Sequence, residues 1–218
     1  MKSNIRILVV DDHPAIRRGL SALLDPEPDM EIAGCAATKQ QAIEMWCKTR
    51  PDITLMDFAL ESPRGGIETI RQIRADFPAA KIIVFSAFAG DEDIYQALKS
   101  GAVTFLTKDT PDEELVRTIR CVHAGKRPIP MEIAQKLAAR VSESSLSARE
   151  LEVLNQVARG MRNKEVAAAL NLCEQTVQYH LKNIFSKLQV NDRTAAVFVA
   201  IQRGLIYVHL KQQSAGLA

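Results

Sequence analysis

The chain has 218 residues, 47% of them hydrophobic and 25% charged, a composition that excludes a disordered polymer and suits one large domain or two ordinary ones. Its net charge of +2 is unevenly spread: residues 1–124 hold 15 basic and 19 acidic side chains, residues 125–143 hold 4 and 2, and residues 144–218 hold 9 and 5. An acidic half followed by a basic one points to two modules, the second suited to a polyanion, although a solvated charged face is the plainer reading of so modest an excess. Cys35, Cys47, Cys121 and Cys173 form no C-x-x-C pair, and no zinc spacing links them to His13, His123, His180 or His209. They are expected to be buried free thiols in a reducing cytoplasm. With no N-terminal apolar core region and no run of about 18 apolar residues, neither secretion nor membrane insertion is expected.

Residues 5–124 alternate short apolar runs with stretches of helical period. Ile5–Val10 reads as a buried strand leading into Asp11-Asp12, and Pro14 opens a helix carrying Ile16, Leu20, Leu23 and Leu24. Met30–Ala36 is a strand, and Thr38 caps a helix with Ala42, Ile43 and Trp46. Ile53–Met56 is a strand that ends on Asp57, followed by a helix marked by Ile67, Ile70, Ile73 and Phe77. Lys81–Phe85 is a strand leading into Ser86, Asp91–Ser100 a helix stopped by Gly101, and Ala102–Leu106 a strand shortly before Lys108. Pro111 opens a last helix with Leu115, Ile119 and Val122 on one face. Five βα units in succession predict a five-stranded parallel sheet covered on both faces by right-handed crossovers, a doubly wound, flavodoxin-like α/β domain over residues 1–124.

The pattern changes after residue 124. Gly125-Lys126-Arg127-Pro128-Ile129-Pro130 suits neither a sheet nor a helix interior, so residues 125–146 read as a linker with one helical insert, Met131–Val141. From Ser147 the chain is helical. Ser147 and Glu150 fit a capping box before Leu151, Leu154, Val157 and Ala158. Further helices are predicted at about Lys164–Leu170, at Glu174–Leu188 with Val177, Leu181, Ile184 and Leu188 inward, and after Asp192. A short turn, Asn171-Leu172-Cys173, makes the middle pair a helix-turn-helix within a domain over residues 147–210. Residues 211–218 have little to pack against and are expected to fray.

In an open parallel sheet, strand C-termini share one edge, where sites form at the topological switch point. Asp11, Asp12, Asp57, Ser86 and Lys108 all lie just beyond predicted strand ends, so one cleft is expected to gather them. Crowded carboxylates repel one another, a cost that a hard divalent cation such as Mg²⁺ removes. Asp57 then suits nucleophilic attack on a phosphoryl donor, Ser86 can donate to a phosphate oxygen, and Lys108 supplies a point charge. Taken singly, Asp11-Asp12 is equally well a helix cap and Asp57 a loop acid; their joint placement favours the site.

These residues carry a resemblance. Residues 1–124 resemble the receiver domain of two-component response regulators, and residues 147–206, through Asn163-Lys164-Glu165-Val166-Ala167 and Thr176-Val177-Gln178-Tyr179-His180, resemble the LuxR-type helix-turn-helix. Together they look like the NarL/FixJ class. The resemblance implies that Asp57 is the phospho-acceptor of a sensor histidine kinase and that Asp11, Asp12, Asp57 and the carbonyl of Ala59 hold Mg²⁺. It further implies that Ser86 and Lys108 meet the phosphate and that Phe105 is an aromatic switch. The chain departs from the family pattern at Leu60-Glu61, where Met-Pro is usual, at Gly66, which arrives one residue late, and at Thr104, where Gly is common.

On the Glu174–Leu188 helix the inward residues leave Gln175, Gln178, Tyr179, Lys182, Asn183 and Ser186 on the other face, a set suited to a major groove or simply to solvent. The resemblance favours double-stranded DNA, with Gln178, Tyr179 and Lys182 at bases or phosphates and Lys164 and Thr176 at the backbone. It places a dimer contact on the last helix, where Ala195, Val199 and Ala200 offer a small-residue surface that serves an intradomain core equally well. The expected protein is a cytoplasmic, homodimeric transcription regulator, not an enzyme beyond its own phosphorylation and dephosphorylation. Two alternatives stay open: a phosphate-independent receiver with constitutive DNA binding, and a phosphotransfer protein whose helical domain binds protein.

Overall fold

The computed structural model describes residues 4–87, 90–142 and 145–207. The expected frayed tail, residues 211–218, and the last three residues of the expected second domain lie outside them. The chain divides into two compact units, Met1–Leu137 and Ala138–Ala218.

In the first unit β1 (Ile5–Val10), α1 (Pro14–Leu24), β2 (Met30–Ala36), α2 (Lys39–Thr49), β3 (Ile53–Met56), α3 (Gly65–Asp76), β4 (Ile82–Ser86), α4 (Asp91–Lys99), β5 (Thr104–Thr107) and α5 (Asp112–His123) follow in chain order. The strands pair in parallel in the order β2-β1-β3-β4-β5. Period-two alternation sends Leu8, Val10, Met56, Val84 and Phe105 to one core, and Ile7, Val9, Leu55, Ile83 and Leu106 to the other. The doubly wound expectation is met.

Local chemistry sets the helix ends. Pro14 occupies the first turn of α1, where its missing N–H is no loss. The Thr38 hydroxyl accepts from the Gln41 N–H at 3.2 Å to start α2. Gly101, at φ +111°, ends α4 in a conformation that side chains resist. The helix α6 (Met131–Ser142) begins in one unit and ends in the other. The division falls within the expected linker, inside its helix; Ile133 is buried in the first unit's core and Leu137 packs against it.

The second unit contains α7 (Ala148–Ala158), α8 (Asn163–Leu170), α9 (Glu174–Leu188) and α10 (Arg193–Gln202) around a core that includes Val153, Val166, Val177, Ile184 and Ala196. The capping box forms as expected: Ser147 accepts from the Glu150 N–H, and the Glu150 carboxylate accepts from the Ser147 N–H at 2.7 Å. Asn171 turns the chain between α8 and α9 at φ 53°. Gln189 ends α9 at φ 55°, a left-handed conformation that favours glycine. Gln189→Gly is expected to stabilise the second unit by about 0.5–1 kcal/mol, read as a higher urea midpoint.

One expectation fails. Cys35, Cys47 and Cys173 are exposed and Cys121 is half-buried. All four are free thiols; Cys35, Cys47 and Cys121 are turned outward by strand or helix periodicity and Cys173 by its place in the turn before α9, whatever cysteine's general preference for burial.

Candidate functional site

The order of the sheet reverses between β1 and β3, and their register sets Val10 opposite Met56. Asp11 and Asp57 therefore leave adjacent strand ends, tied by a hydrogen bond from the Asp57 N–H to the Val10 carbonyl at 2.8 Å. On the other side β4 holds β5, and the Lys108 N–H donates to the Ser86 carbonyl at 2.8 Å. Lys108 Nζ reaches back across this edge to Asp11 Oδ2 at 2.6 Å and Asp57 Oδ1 at 3.1 Å. Both carboxylates are about 3% exposed. Ser86 is buried at the same edge. Phe105, fully buried, lies 6.2 Å from the ring of Phe58 in a tilted pair.

Burial pushes the Asp57 carboxyl above the ordinary aspartate range; Lys108 opposes this, while Asp11 and Asp12 reinforce it. Burial alone would pull the Lys108 ammonium down, but its hydrogen bond to Asp11 and the charge of Asp57 outweigh burial and hold it above the usual lysine range. The cleft is thus a set of acids compensated in part by one amine. Acidic or imidazole atoms of Asp11, Asp12, His13 and Asp57 all lie within 4.8 Å of one another. Asp12 Oδ1 is buried and takes no hydrogen bond, although His13 Nδ1 is 2.7 Å away. Three carboxylates converging within 4.8 Å supply the hard oxygen donors that suit Mg²⁺.

The loop between β3 and α3 is compact. Leu60 is buried, and the Gly66 N–H donates to the Phe58 carbonyl at 3.0 Å. A Cβ on Gly66 would stand 2.1 Å from the Asp57 carbonyl oxygen, and one on Gly65 would stand 1.8 Å from that of Leu60. Only glycine permits backbone to approach backbone so closely beside the acid. Ala59 is exposed in this loop, and Arg64 ties its end to Asp93 of α4 at 3.2 Å.

In the second unit, α9 buries Val177, Leu181, Ile184 and Leu188 and leaves Gln175, Gln178, Tyr179, Lys182 and Ser186 exposed. Thr176 is half-buried at its first turn, and Lys164 is exposed on α8. Cys173 occupies the N-cap without a side-chain capping bond, as its chemistry predicts. Glu150, buried and held below the ordinary glutamate range, outweighs its burial through Lys187 at 2.7 Å and the backbone of Ser147. That pair ties α7 to α9 and sets the position of the exposed face.

Residues 7–120 match the response regulator receiver domain, and residues 144–200 match the luxR family of bacterial regulatory proteins. This chain is a response regulator.

Among its relatives, the response regulator protein VraR of Staphylococcus aureus is 34% identical over 207 residues, spanning 93% of this chain and 99% of VraR. The transcriptional regulatory protein LiaR of Bacillus subtilis is 35% identical over 210 residues, with the same shares. The crystal structure of the response regulator ChrA, from a heme-sensing two-component system, is 33% identical with a TM-score of 0.56, covering 94% of this chain and 100% of ChrA. The response regulator thus joins a receiver domain to a LuxR-type DNA-binding helix-turn-helix, and none of its described helices is long and apolar enough to cross a membrane.

All five charged or hydroxyl residues expected in the receiver cleft meet at its sheet edge, and the five expected DNA contacts lie on α8 and α9. The expected dimer surface needs correction. Ala200 is fully buried in the domain's own core, so it presents nothing to a partner, while Ala195 and Val199 are half-buried. The exposed apolar side chains of α10 are instead Phe198 and Ile201. Sequence reasoning also passed over His13, whose place beside Asp12 was the available signal.

Proposed function

We propose that this response regulator is switched by phosphorylation of Asp57 by a sensor histidine kinase, and that the switch governs dimerisation and DNA binding. The observation that carries this reading is Lys108 bridging two buried carboxylates at the sheet edge. Asp11, Asp12 and Asp57, with the carbonyl of Ala59, would hold Mg²⁺, which when bound supplies positive charge against the phosphoryl oxygens. A carboxylate oxygen of Asp57 forms a bond to phosphorus as the bond from phosphorus to the donor nitrogen of a kinase histidine breaks. Lys108 leaves Asp57 to pair with a phosphoryl oxygen, and the Ser86 hydroxyl donates to another. Phe105 and the surrounding core repack, biasing a two-state equilibrium.

In this reading the receiver occupies residues 1–124 and the DNA-binding domain residues 147–210, working in the cytoplasm where the DNA is. Gln178, Tyr179 and Lys182 meet bases or phosphates, and Lys164 and Thr176 meet the backbone. A single α9 makes few contacts, so two copies on two half-sites supply specificity. They meet through α10, where Ala195 and Val199 flank the exposed Phe198 and Ile201.

Intact mass after incubation with Mg²⁺ and a small phosphodonor tests the acceptor. One phosphoryl adduct is expected on the wild type and none on Asp57→Asn; a wild type without adduct leaves the phosphate-independent reading in its place. Lys182→Ala is expected to weaken operator binding and to flatten the slope of log K against log salt by about 1. Unchanged retention of DNA over a salt series rules out that contact.

A further inference from the structure

The linker after α5 does not leave the receiver at once. Pro128 accepts a hydrogen bond from the Thr104 hydroxyl at 2.6 Å, and Thr104 is fully buried. Three residues into α6, Ile133 is 2% exposed and belongs to the same core as Ile94 and Ala97 of α4 and Phe105 of β5, with Leu137 and Leu98 packed against it. The start of α6 and the end of β5 line a 310 Å³ groove, whose lining includes Leu106 and Thr107 from the strand and Met131 and Ile133 from the helix. Because β5 is an edge of the sheet, this segment supplies the cover that an edge strand needs.

Strand β5 therefore has a different attachment at each end. Just beyond its C-terminus, Lys108 holds Asp11 and Asp57. At its N-terminus, Thr104 holds Pro128, and between the two lies Phe105. A residue without a hydroxyl at this position could not hold the linker in this way. The strand is four residues long, so Lys108, directly after it, is separated from the linker's anchor by one short element.

We propose that residues 128–137 form a strap on the free edge of the receiver, locked by Thr104 and by the seating of Ile133 beside the Phe105 core, and released when Lys108 is drawn to a new partner. The strap ends where the second unit begins, within the single helix α6, so its release frees the chain that leads to the DNA-binding domain. This rests on the phosphorylation of Asp57 proposed above.

Hydrogen exchange in the segment 131–137 of the full-length protein tests it, with intact mass measured on the same samples. Without phosphodonor, Thr104→Val is expected to exchange about tenfold faster than wild type in this segment while β1 and β3 are unchanged, since a buried acceptor loses its donor and the shape is kept. With Mg²⁺ and acetyl phosphate, the wild type is expected to speed up in the same segment in proportion to the adduct formed, and Asp57→Asn is not. An adduct without faster exchange at 131–137 overturns the strap and leaves the acceptor reading intact. Absence of an adduct overturns the acceptor reading, and with it release by phosphate. Unchanged exchange in Thr104→Val overturns the lock whatever the phosphodonor does.

Discussion

Lys108→Met is expected to lower the stability of the metal-free receiver by about 3 kcal/mol, because breaking a buried ion pair strands its partners. Here two partners are stranded, Asp11 and Asp57, each about 3% exposed and held at 2.6 and 3.1 Å by the one amine. Methionine keeps the length and apolar stem of the side chain, so lost packing contributes little. Mg²⁺ is expected to recover most of the loss. In the wild type the cation and the ammonium share the same carboxylates, so their repulsion weakens metal binding; in the variant that repulsion is gone. Saturating Mg²⁺ therefore shifts the variant's unfolding midpoint further than the wild type's. The one tryptophan, Trp46, is buried in α2 and reports the receiver's unfolding in urea independently of the second unit. Equal midpoints for the two proteins without Mg²⁺ would show that Lys108 does not compensate these acids.

The second large effect lies in the other unit. Glu150→Ala is expected to cost about 3–4 kcal/mol, the sum of a lost capping interaction and of Lys187 left without its partner in a half-buried site. Glu150→Gln separates the two, since a glutamine oxygen can still accept from the Ser147 N–H and from Lys187 but carries no charge to offset the ammonium. The folded carboxyl of Glu150 lies below its ordinary range, so its contribution is present above that range and is lost as pH falls through the folded value. Wild type should lose second-unit stability from roughly pH 5 downward, and Glu150→Gln should show a flatter profile over the same span. Amide exchange across α9 reads both; parallel profiles would place the pH dependence on another group.

Much of this was legible in the chain itself. Apolar runs of four to six residues alternating with helical period gave away five βα units, and the chemistry of Thr38, Ser147 and Asp192 marked helix starts to within a residue. Asp57, Ser86 and Lys108 were recognisable because each follows an apolar run that had to be a strand. What escaped was anything decided by the facing surface. The cysteines read as buried from their type, yet three of the four face solvent. Ala200 read equally well as dimer surface or as core, and the core of α7–α10 closes over it.

The sequence by itself determined the two modules, the parallel sheet and the identity of the acids, hydroxyl and amine at its edge, because period and strand-end position are local properties. Only the tertiary structure decided that Lys108 would bridge Asp11 to Asp57, that Gly66 must yield to the Asp57 carbonyl, and that Pro128 and Ile133 belong to the receiver. Each depends on groups between 9 and 97 residues apart in the chain, brought together by sheet order and packing that no local pattern encodes.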